Sequence, residues 1–389
     1  MESMKNDRKI VQNYPFFGIA IKREIFYNRC VYLDCLLEMG TANSMATKPN
    51  GRVAYYDRLR ILAMIGVVLV HVCAGTVTEL AADGFTWHLT NLLDAASRFA
   101  VPVYLMLTGA LLLGDDRALS LRDILKRRMV PVAVPLAVWT VIYGVLRFAW
   151  QGMLHEDFVL TQALSSLFSK PIEVHLWYLY ALLAIYLVLP FLRLIVKHAP
   201  RKLIVYGVAL WLIYSSLMRA AGGLFPQLAL PVYGNLDFLG GYLGYVLLGW
   251  VLATTERVPS RPLLITGAVV CTLITTAATY LMTRSAGELN AVFYQYFMPN
   301  VVGQSICVFL WMRTTSETAS SWCAPVAELS FGVYLTHQLF VVLLTPLLRI
   351  LPAILTPLLA TPIVAVLSVI LTVLLRKTKV TRFLFLGGR

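Results

Sequence analysis

The stretch YYDRLRILAMIGVVLVHV, residues 55–72, places a charged cluster directly before a run that is apolar enough to enter a membrane. His71 lies inside that run, eleven residues after Arg60. An ionisable side chain at membrane depth costs at least ~2.5–3.5 kcal/mol on insertion scales, so it needs a partner or a function. The stretch therefore predicts a membrane helix that carries a functional or a paired histidine.

The spacing of these two residues predicts that they share one face of the helix. Eleven residues of α-helix complete roughly three turns and rise about 16 Å. We therefore expect Arg60 at the membrane boundary and His71 near the middle of the membrane. The alternative is that Arg60 is only an anchor at the headgroups and that His71 hydrogen-bonds to a neighbouring helix.

The composition of the whole chain is that of an integral membrane protein. Of its 389 residues 59% are hydrophobic and only 14% are charged, with a mean hydropathy of +0.73. Soluble domains carry roughly 25% charged residues. The apolar residues come in blocks of about 20, the length that a helix needs to cross a bilayer. The six cysteines have no disulfide or metal spacing, so we predict no metal site.

The blocks predict an all-α polytopic protein with about ten transmembrane helices. We place them at 60–78, 89–113, 130–150, 174–197, 202–220, 235–254, 262–283, 291–312, 326–347 and 351–375. Pro102 and Pro135 fall inside predicted helices and should bend them. Residues 45–389 are predicted to be a single membrane domain. Residues 1–44 have no sustained period, and we expect either a poorly ordered extension or a true start at Met45.

The positions of lysine and arginine predict the orientation. From residue 48 onward, one set of helix flanks holds 21 of these residues and the alternate flanks hold five. Basic residues accumulate on the cytoplasmic side of a membrane, so both termini are predicted to be cytoplasmic. The net charge of +13 is explained by these flanks, and no nucleic-acid partner is predicted.

Two further groups of charged residues have both a structural and a functional interpretation. Asp94 and Arg98 stand at i, i+4 in the second helix and form either a neutralising pair or a site that steadies negative charge. Lys126, Arg127 and Arg128 precede the third helix and are either a basic anchor or a phosphate-binding patch.

Polar residues on two later helices are also candidates for a site. His175, with Glu173, opens the fourth helix at its outer end, where it is a surface histidine or reads the hydroxyls of an acceptor. Tyr334 and His337 stand one turn apart in the ninth helix. Because His71 and His337 both lie near mid-membrane, we predict a shared polar cavity. The glycines at 240, 241, 244 and 249 predict close helix packing.

Several of these segments resemble the acyltransferase 3 family of integral membrane acyltransferases. The resemblance covers about 53–380 and is closest to the branch of bacterial O-acetyltransferases similar to the enterobacterial common antigen O-acetyltransferase. Arg60, ten intervening residues and His71 match the signature of the family's first helix, and Asp57 fits its Asp-x-Leu-Arg opening. The later segments that match, in order, are VPVYLMLTGALLL (101–113), HLWYLYALLAIYLVLP (175–190), GYLGYVLLGW (241–250) and LSFGVYLTHQLF (329–340). The Arg-x-x-Arg motif that many members carry before the third helix is not intact here.

The resemblance implies a multi-pass O-acyltransferase of the bacterial inner membrane. It would move an acyl group, usually acetyl from acetyl-CoA at the cytoplasmic face, to a hydroxyl of a glycan or lipid-linked sugar. We assign catalysis to His71, as base or transient acyl acceptor, and to Arg60. Phosphate binding falls to the basic run Lys126, Arg127 and Arg128, and the expected cavity residues are Asp57, Arg98, His175, Tyr334 and His337.

Two other classes of membrane protein remain possible at this point. A transporter or flippase also needs buried polar side chains, although no internal repeat is visible in the sequence. A purely structural subunit would not need the common face of Arg60 and His71. Neither the identity of the sugar nor the oligomeric state is predicted.

Overall fold

The computed structural model describes residues 52–115, 120–153, 171–224, 241–315, 321–348 and 354–388. Every regular element in these ranges is helical, as expected of apolar blocks that must satisfy their backbone hydrogen bonds inside a bilayer. Residues Val53–Arg389 form one compact unit. The predicted extension 1–44 lies outside the described residues.

The second predicted span, 89–113, is divided into two helices. The first three helices are α1 (Ala54–Glu79), α2 (Phe85–Ser97) and α3 (Ala100–Leu112). The chain makes a turn at Arg98 and Phe99 between α2 and α3. Pro102 explains the position of this break, because it has no N–H to donate to the carbonyl of Arg98. Pro135, by contrast, lies inside a helix that continues through it.

The remaining helices include short π and 3₁₀ segments where the chain enters or bends a span. A helical turn Leu121–Asp123 and a π segment Ile124–Met129 lead into α4 (Val130–Met153), and a 3₁₀ turn Val174–Leu176 leads into α5 (Trp177–His198). A π segment Leu212–Met218 joins α6 (Arg201–Trp211) to α7 (Arg219–Leu224), and α8 covers Leu243–Thr254. After α9 (Arg261–Ala286) and a 3₁₀ turn Val292–Tyr294 come α10 (Pro299–Arg313), α11 (Cys323–Ala327), α12 (Ser330–Leu348), α13 (Thr356–Leu375) and α14 (Lys379–Leu386).

Seven helical stretches of the described chain are long and apolar enough to cross a membrane, so the protein is a multi-pass membrane protein. They are Ala54–Glu79, Phe85–Leu112, Leu121–Arg147, Val174–His198, Arg201–Gly223, Arg261–Ala286 and Thr356–Leu375. The other three predicted spans contain the shorter helices α8, α10 and α12. A total of ten spans and the orientation of the termini remain predictions.

Helices α3 and α8 approach each other at glycines. A Cβ atom on Gly109 would overlap the carbonyl oxygen of Val246, and one on Gly249 would overlap that of Met106. Gly244 packs in the same way against the ring of Trp211. The prediction of close packing along the 240–249 glycines is therefore confirmed at Gly244 and Gly249.

The C-terminal helix α14 lies against the beginning of α4. Trp139 donates its indole N–H to the carbonyl oxygen of Phe385 at 3.0 Å. Gly387 ends α14 with a φ of 64°, and a Cβ atom there would overlap the Pro131 carbonyl. Contacts at both Trp139 and Pro131 hold the start of α4 in place, directly after the π segment.

Candidate active site

A pocket of about 240 Å³ opens beside Arg60. Its polar lining comes from α1, α3, α5 and α12 and from the π segment before α4: Arg60, Tyr104, Thr108, Arg128, Tyr178, Tyr186, Ser330 and Tyr334. Two arginines and no carboxylate are among the described residues that line it. The pocket therefore favours an anionic ligand.

Arg60 is held at this pocket by Asp57 one turn earlier in α1. The two side chains form an ion pair with 3.1 Å between Nη1 and Oδ1; Asp57 is 1% exposed and Arg60 is 31% exposed. Tyr104 donates its hydroxyl to the Arg60 carbonyl at 3.2 Å. Asp57 thus lies behind Arg60 and orients its guanidinium.

The basic run before α4 is divided by the π segment in which it lies. Arg128 is partly buried and lines the pocket, whereas Lys126 and Arg127 are exposed. Arg127 pairs instead with Asp123, at 2.9 Å between Nε and Oδ1. Of the three residues predicted to bind phosphate, the structure brings only Arg128 together with Arg60.

Tyr334 connects the pocket to the histidines of the membrane interior. Its side chain lines the pocket, and its hydroxyl donates to the carbonyl oxygen of His175. Its ring centroid is 5.7 Å from that of His175 and 6.0 Å from that of His337. The Tyr334 side chain therefore borders both the pocket and the rings of these two histidines, neither of which lines the pocket itself.

His71, His175 and His337 form one group, which we call the histidine cluster. The ring centroids lie 5.0 Å apart for His71 and His337, 5.2 Å for His175 and His337, and 6.1 Å for His71 and His175. His175 is 2% exposed and His337 is 0% exposed, while His71 is partly exposed. The structure thus brings together the two mid-membrane histidines that the sequence singled out, with His175 as a third member.

His175 is buried, although the sequence placed it at the outer end of its helix. The 3₁₀ turn Val174–Leu176 exposes Val174 and buries the His175 ring. A 3₁₀ turn places three residues per turn, which directs neighbouring side chains to different sides. Glu173 is partly buried just before this turn.

Ring nitrogens in the histidine cluster lack hydrogen-bond partners. Nε2 of His337 and both ring nitrogens of His175 are buried without one. Leaving a buried polar group unsatisfied costs ~1–3 kcal/mol. Three such atoms in one cluster indicate a site that becomes satisfied when a polar ligand enters.

The predicted pair of Asp94 and Arg98 is present and buried at the end of α2. Nη2 of Arg98 is 2.5 Å from Oδ1 of Asp94, and its guanidinium carbon lies 4.0 Å from the centroid of the Tyr294 ring. Tyr294 in turn donates its hydroxyl to Asn91 at 2.5 Å. The Asp94 side chain is 1% exposed and that of Arg98 is 16% exposed, so the ion pair is largely withdrawn from solvent.

Several tyrosines of the site were missed in the sequence. Tyr104 and Thr108 on α3, and Tyr178 and Tyr186 on α5, line the pocket. Tyr104 and Thr108 are four residues apart, and Tyr178 and Tyr186 are eight residues apart. In the sequence, this spacing of hydroxyl groups along apolar helices was the signal that could have identified them.

Within the described residues, no group of three or more His, Cys, Asp or Glu side chains has the geometry to hold a metal ion. The absence of a metal remains a prediction.

The fold and the site define a multi-pass membrane protein with an arginine-lined pocket that shares Tyr334 with a group of buried histidines. A family model described as an acyltransferase domain, that of the acyltransferase 3 family, matches residues 53–377. The chain belongs to this family, and it is a membrane acyltransferase. Comparisons with curated proteins and with solved structures gave no match. The predicted family is confirmed, and the branch within it stays a prediction.

Proposed function

We propose that the protein is an O-acyltransferase that moves acetyl from acetyl-CoA to a hydroxyl of a cell-surface glycan or a lipid-linked sugar. The observation that carries this proposal is that Tyr334 lines the arginine-lined pocket and also contacts the histidine cluster. Such an arrangement lets an anionic donor bind at one end while its reactive group reaches imidazoles at the other.

The pocket suits the arm of the donor rather than the whole molecule. Sites for drug-sized ligands measure ~300–1,000 Å³, and this pocket measures about 240 Å³. The pantetheine arm would lie in the pocket. The phosphate nearest to this arm would bind Arg60 and Arg128. Lys126 and Arg127, exposed on the same π segment, would meet phosphates that remain outside.

His71 is the residue that we assign to the chemistry. It is the partly exposed member of the histidine cluster, and imidazole takes up a proton near neutral pH. His71 would accept the proton of the acceptor hydroxyl or carry the acyl group transiently. Arg98 would steady negative charge that develops at the thioester carbonyl, and His175 and His337 would line the cavity.

The proposed orientation places the Arg60 end of α1 in the cytoplasm of a bacterial cell, in its inner membrane. It is supported by the 21 basic residues on the flanks that share this side, against five on the other. The positive-inside bias puts the donor pocket where acetyl-CoA is available. The acceptor and the lipid bilayer are the other proposed partners.

Thiol release by the purified protein tests this function against transport. Full-length protein in nanodiscs is given acetyl-CoA with and without surface polysaccharide, and free CoA is measured. We expect acceptor-dependent release by the parent protein and a loss of at least ~10²-fold in His71→Ala. The exposed His198 supplies the control variant His198→Ala. A transporter or flippase would release no thiol, which would contradict the proposal.

The acceptor is identified by the mass of the cell's own polysaccharide. Surface glycan from cells with and without the gene is compared by mass spectrometry, and the deletion strain is complemented with parent or His71→Ala protein. We expect an acyl mass that is lost on deletion and restored only by the parent. An acyl mass other than acetyl would correct the donor without changing the reaction class.

A further inference from the structure

His337 is the member of the histidine cluster whose hydrogen bonding determines which nitrogen carries the proton. Its Nδ1 atom lies 2.7 Å from the carbonyl oxygen of Tyr334 and 3.2 Å from that of Val333. A carbonyl oxygen only accepts, so Nδ1 must be the donor. In the neutral ring Nε2 is then unprotonated and carries a lone pair.

This lone pair is buried beside His71. His337 is 0% exposed, and its Nε2 has no hydrogen-bond partner. The ring of His71 is at 5.0 Å between centroids, the shortest of the three separations in the histidine cluster. His175 has no hydrogen bond to either ring nitrogen, so nothing fixes its tautomer in the same way.

We propose that His337 is a positioning residue for His71: the two rings, which are 5.0 Å apart and not hydrogen-bonded in this structure, come together when the substrates bind, so that the His337 Nε2 accepts one N–H of the His71 ring and leaves the other His71 nitrogen free to act as the base. This inference rests on the proposed acyl transfer, and it adds the group that selects the reactive tautomer. A carboxylate has the same role behind the histidine of a serine hydrolase triad. Here a neutral imidazole supplies the acceptor.

Acyl transfer from the thioester to the hydroxyl needs only the two imidazole rings and the two substrates. The acceptor hydroxyl gives its proton to the free nitrogen of His71 as its oxygen attacks the acyl carbon. The carbon–sulfur bond breaks, and the departing thiolate takes that proton from the His71 imidazolium. An ester and a thiol are formed with no net gain or loss of protons, and the Nε2 of His337 stabilises the imidazolium in between.

Three other polar groups at or near the histidine cluster have hydrogen-bond or ion-pair partners. On α4, Tyr143 donates its hydroxyl to the carbonyl of Leu335 at 2.9 Å. On α12 itself, Tyr334 donates to the His175 carbonyl. Arg98, in the turn after α2, is paired with Asp94. His175, from the 3₁₀ turn, is therefore the other ring that a pH experiment must consider.

Two substitutions at residue 337 separate the proposed role from a structural one. His337→Asn keeps an N–H near the Nδ1 position but has no acceptor at Nε2. His337→Gln places an amide oxygen near Nε2 and so restores an acceptor that cannot itself be protonated. We expect kcat to fall on the order of 10²-fold in His337→Asn and to recover by about tenfold in His337→Gln. The KM for acetyl-CoA stays within about twofold in both, because the arginines of the pocket are unchanged.

The pH profile of kcat provides a readout that a structural role would not move. Without the acceptor on Nε2, the His71 imidazolium is less stable, so the acid limb of His337→Asn moves to lower pH. The control His198→Asn, at an exposed position, keeps the limb of the parent. His175→Asn is measured alongside. We expect its acid limb to shift less from that of the parent than the acid limb of His337→Asn does.

Equal rates for His337→Asn and His337→Gln, or an acid limb that stays in place, would overturn the inference while acyl transfer stands. Failure of the proposed function is different, because the parent protein itself would then release no CoA. A measurement without turnover covers the case in which the variants do not fold. Nitrogen-15 NMR of histidine-labelled parent protein should show, among its six histidines, a neutral ring protonated at Nδ1. If every neutral ring carries its proton on Nε2, the proposal is wrong.

Discussion

Asp57 holds Arg60 at the pocket through an ion pair of 3.1 Å, although the carboxylate itself is buried away from the pocket. The two residues stand at i, i+3 at the start of α1. Without Asp57, the Arg60 side chain would sample other rotamers, because an arginine side chain carries about 2 kcal/mol of rotamer entropy. The orientation of Arg60 is therefore part of the donor site.

Asp57→Asn tests this relationship. Because the Arg60 guanidinium loses a charged acceptor, we expect the KM for acetyl-CoA to rise roughly 5- to 10-fold with a smaller change in kcat. Initial rates of CoA release measure both constants. Asp123→Asn is the matched control, since that carboxylate pairs with Arg127 outside the pocket. Equal effects of the two substitutions would contradict the role of Asp57.

Arg128 and Arg127 are adjacent in sequence, yet only Arg128 lines the pocket. A charge-assisted hydrogen bond is worth ~1.5–3 kcal/mol, so Arg128→Ala should weaken acetyl-CoA binding by roughly 10- to 100-fold. Arg127→Ala should change it by only about threefold, because Arg127 is exposed and its contact with an outer phosphate is screened by water and salt. Binding of a non-hydrolysable acyl-CoA analogue, measured by calorimetry in nanodiscs, decides the comparison. A larger effect at Arg127 would mean that phosphates bind on the outer side of the π segment.

The crossing of α3 and α8 predicts which glycines tolerate a side chain. Gly109→Ala and Gly249→Ala would each force a Cβ atom into a backbone carbonyl of the facing helix, and we expect a loss of ~1–3 kcal/mol in stability. Gly207→Ala is the control, because a Cβ atom there meets nothing within 4 Å. Melting temperatures in detergent should be lower only for the first two. A drop in Gly207→Ala of the same size would contradict this account of the packing.

Glu173 predicts a pH dependence of stability. Burial raises the pKa of its carboxyl above the usual 4.5, and Arg147 opposes this in part. The folded protein then binds more protons than the unfolded chain, so stability falls as pH rises through the raised pKa. Glu173→Gln removes this loss, and its melting temperature should exceed that of the parent at pH 7 but not at pH 4. A difference that does not change with pH would exclude this cause.

The sequence predicted those features of the site that depend on residues close together in a regular helix. The common face of Arg60 and His71 follows from a regular helix, and α1 is regular throughout. The pair of Asp94 and Arg98 is also local, at i, i+4. In contrast, Arg128 and His175 lie in π and 3₁₀ segments, whose residues per turn differ from 3.6. Tertiary packing decides such segments, so a helical periodicity could not place these side chains.

The geometry of the donor site also depends on the number of residues in the π segment Ile124–Met129. A π turn holds more residues than an α turn over a similar length of helix axis. Loss of one residue from this segment would restore regular α-helical winding and move the basic residues of the segment to other faces of the helix. We therefore expect a single-residue deletion between Ile124 and Met129 to change donor binding by this protein.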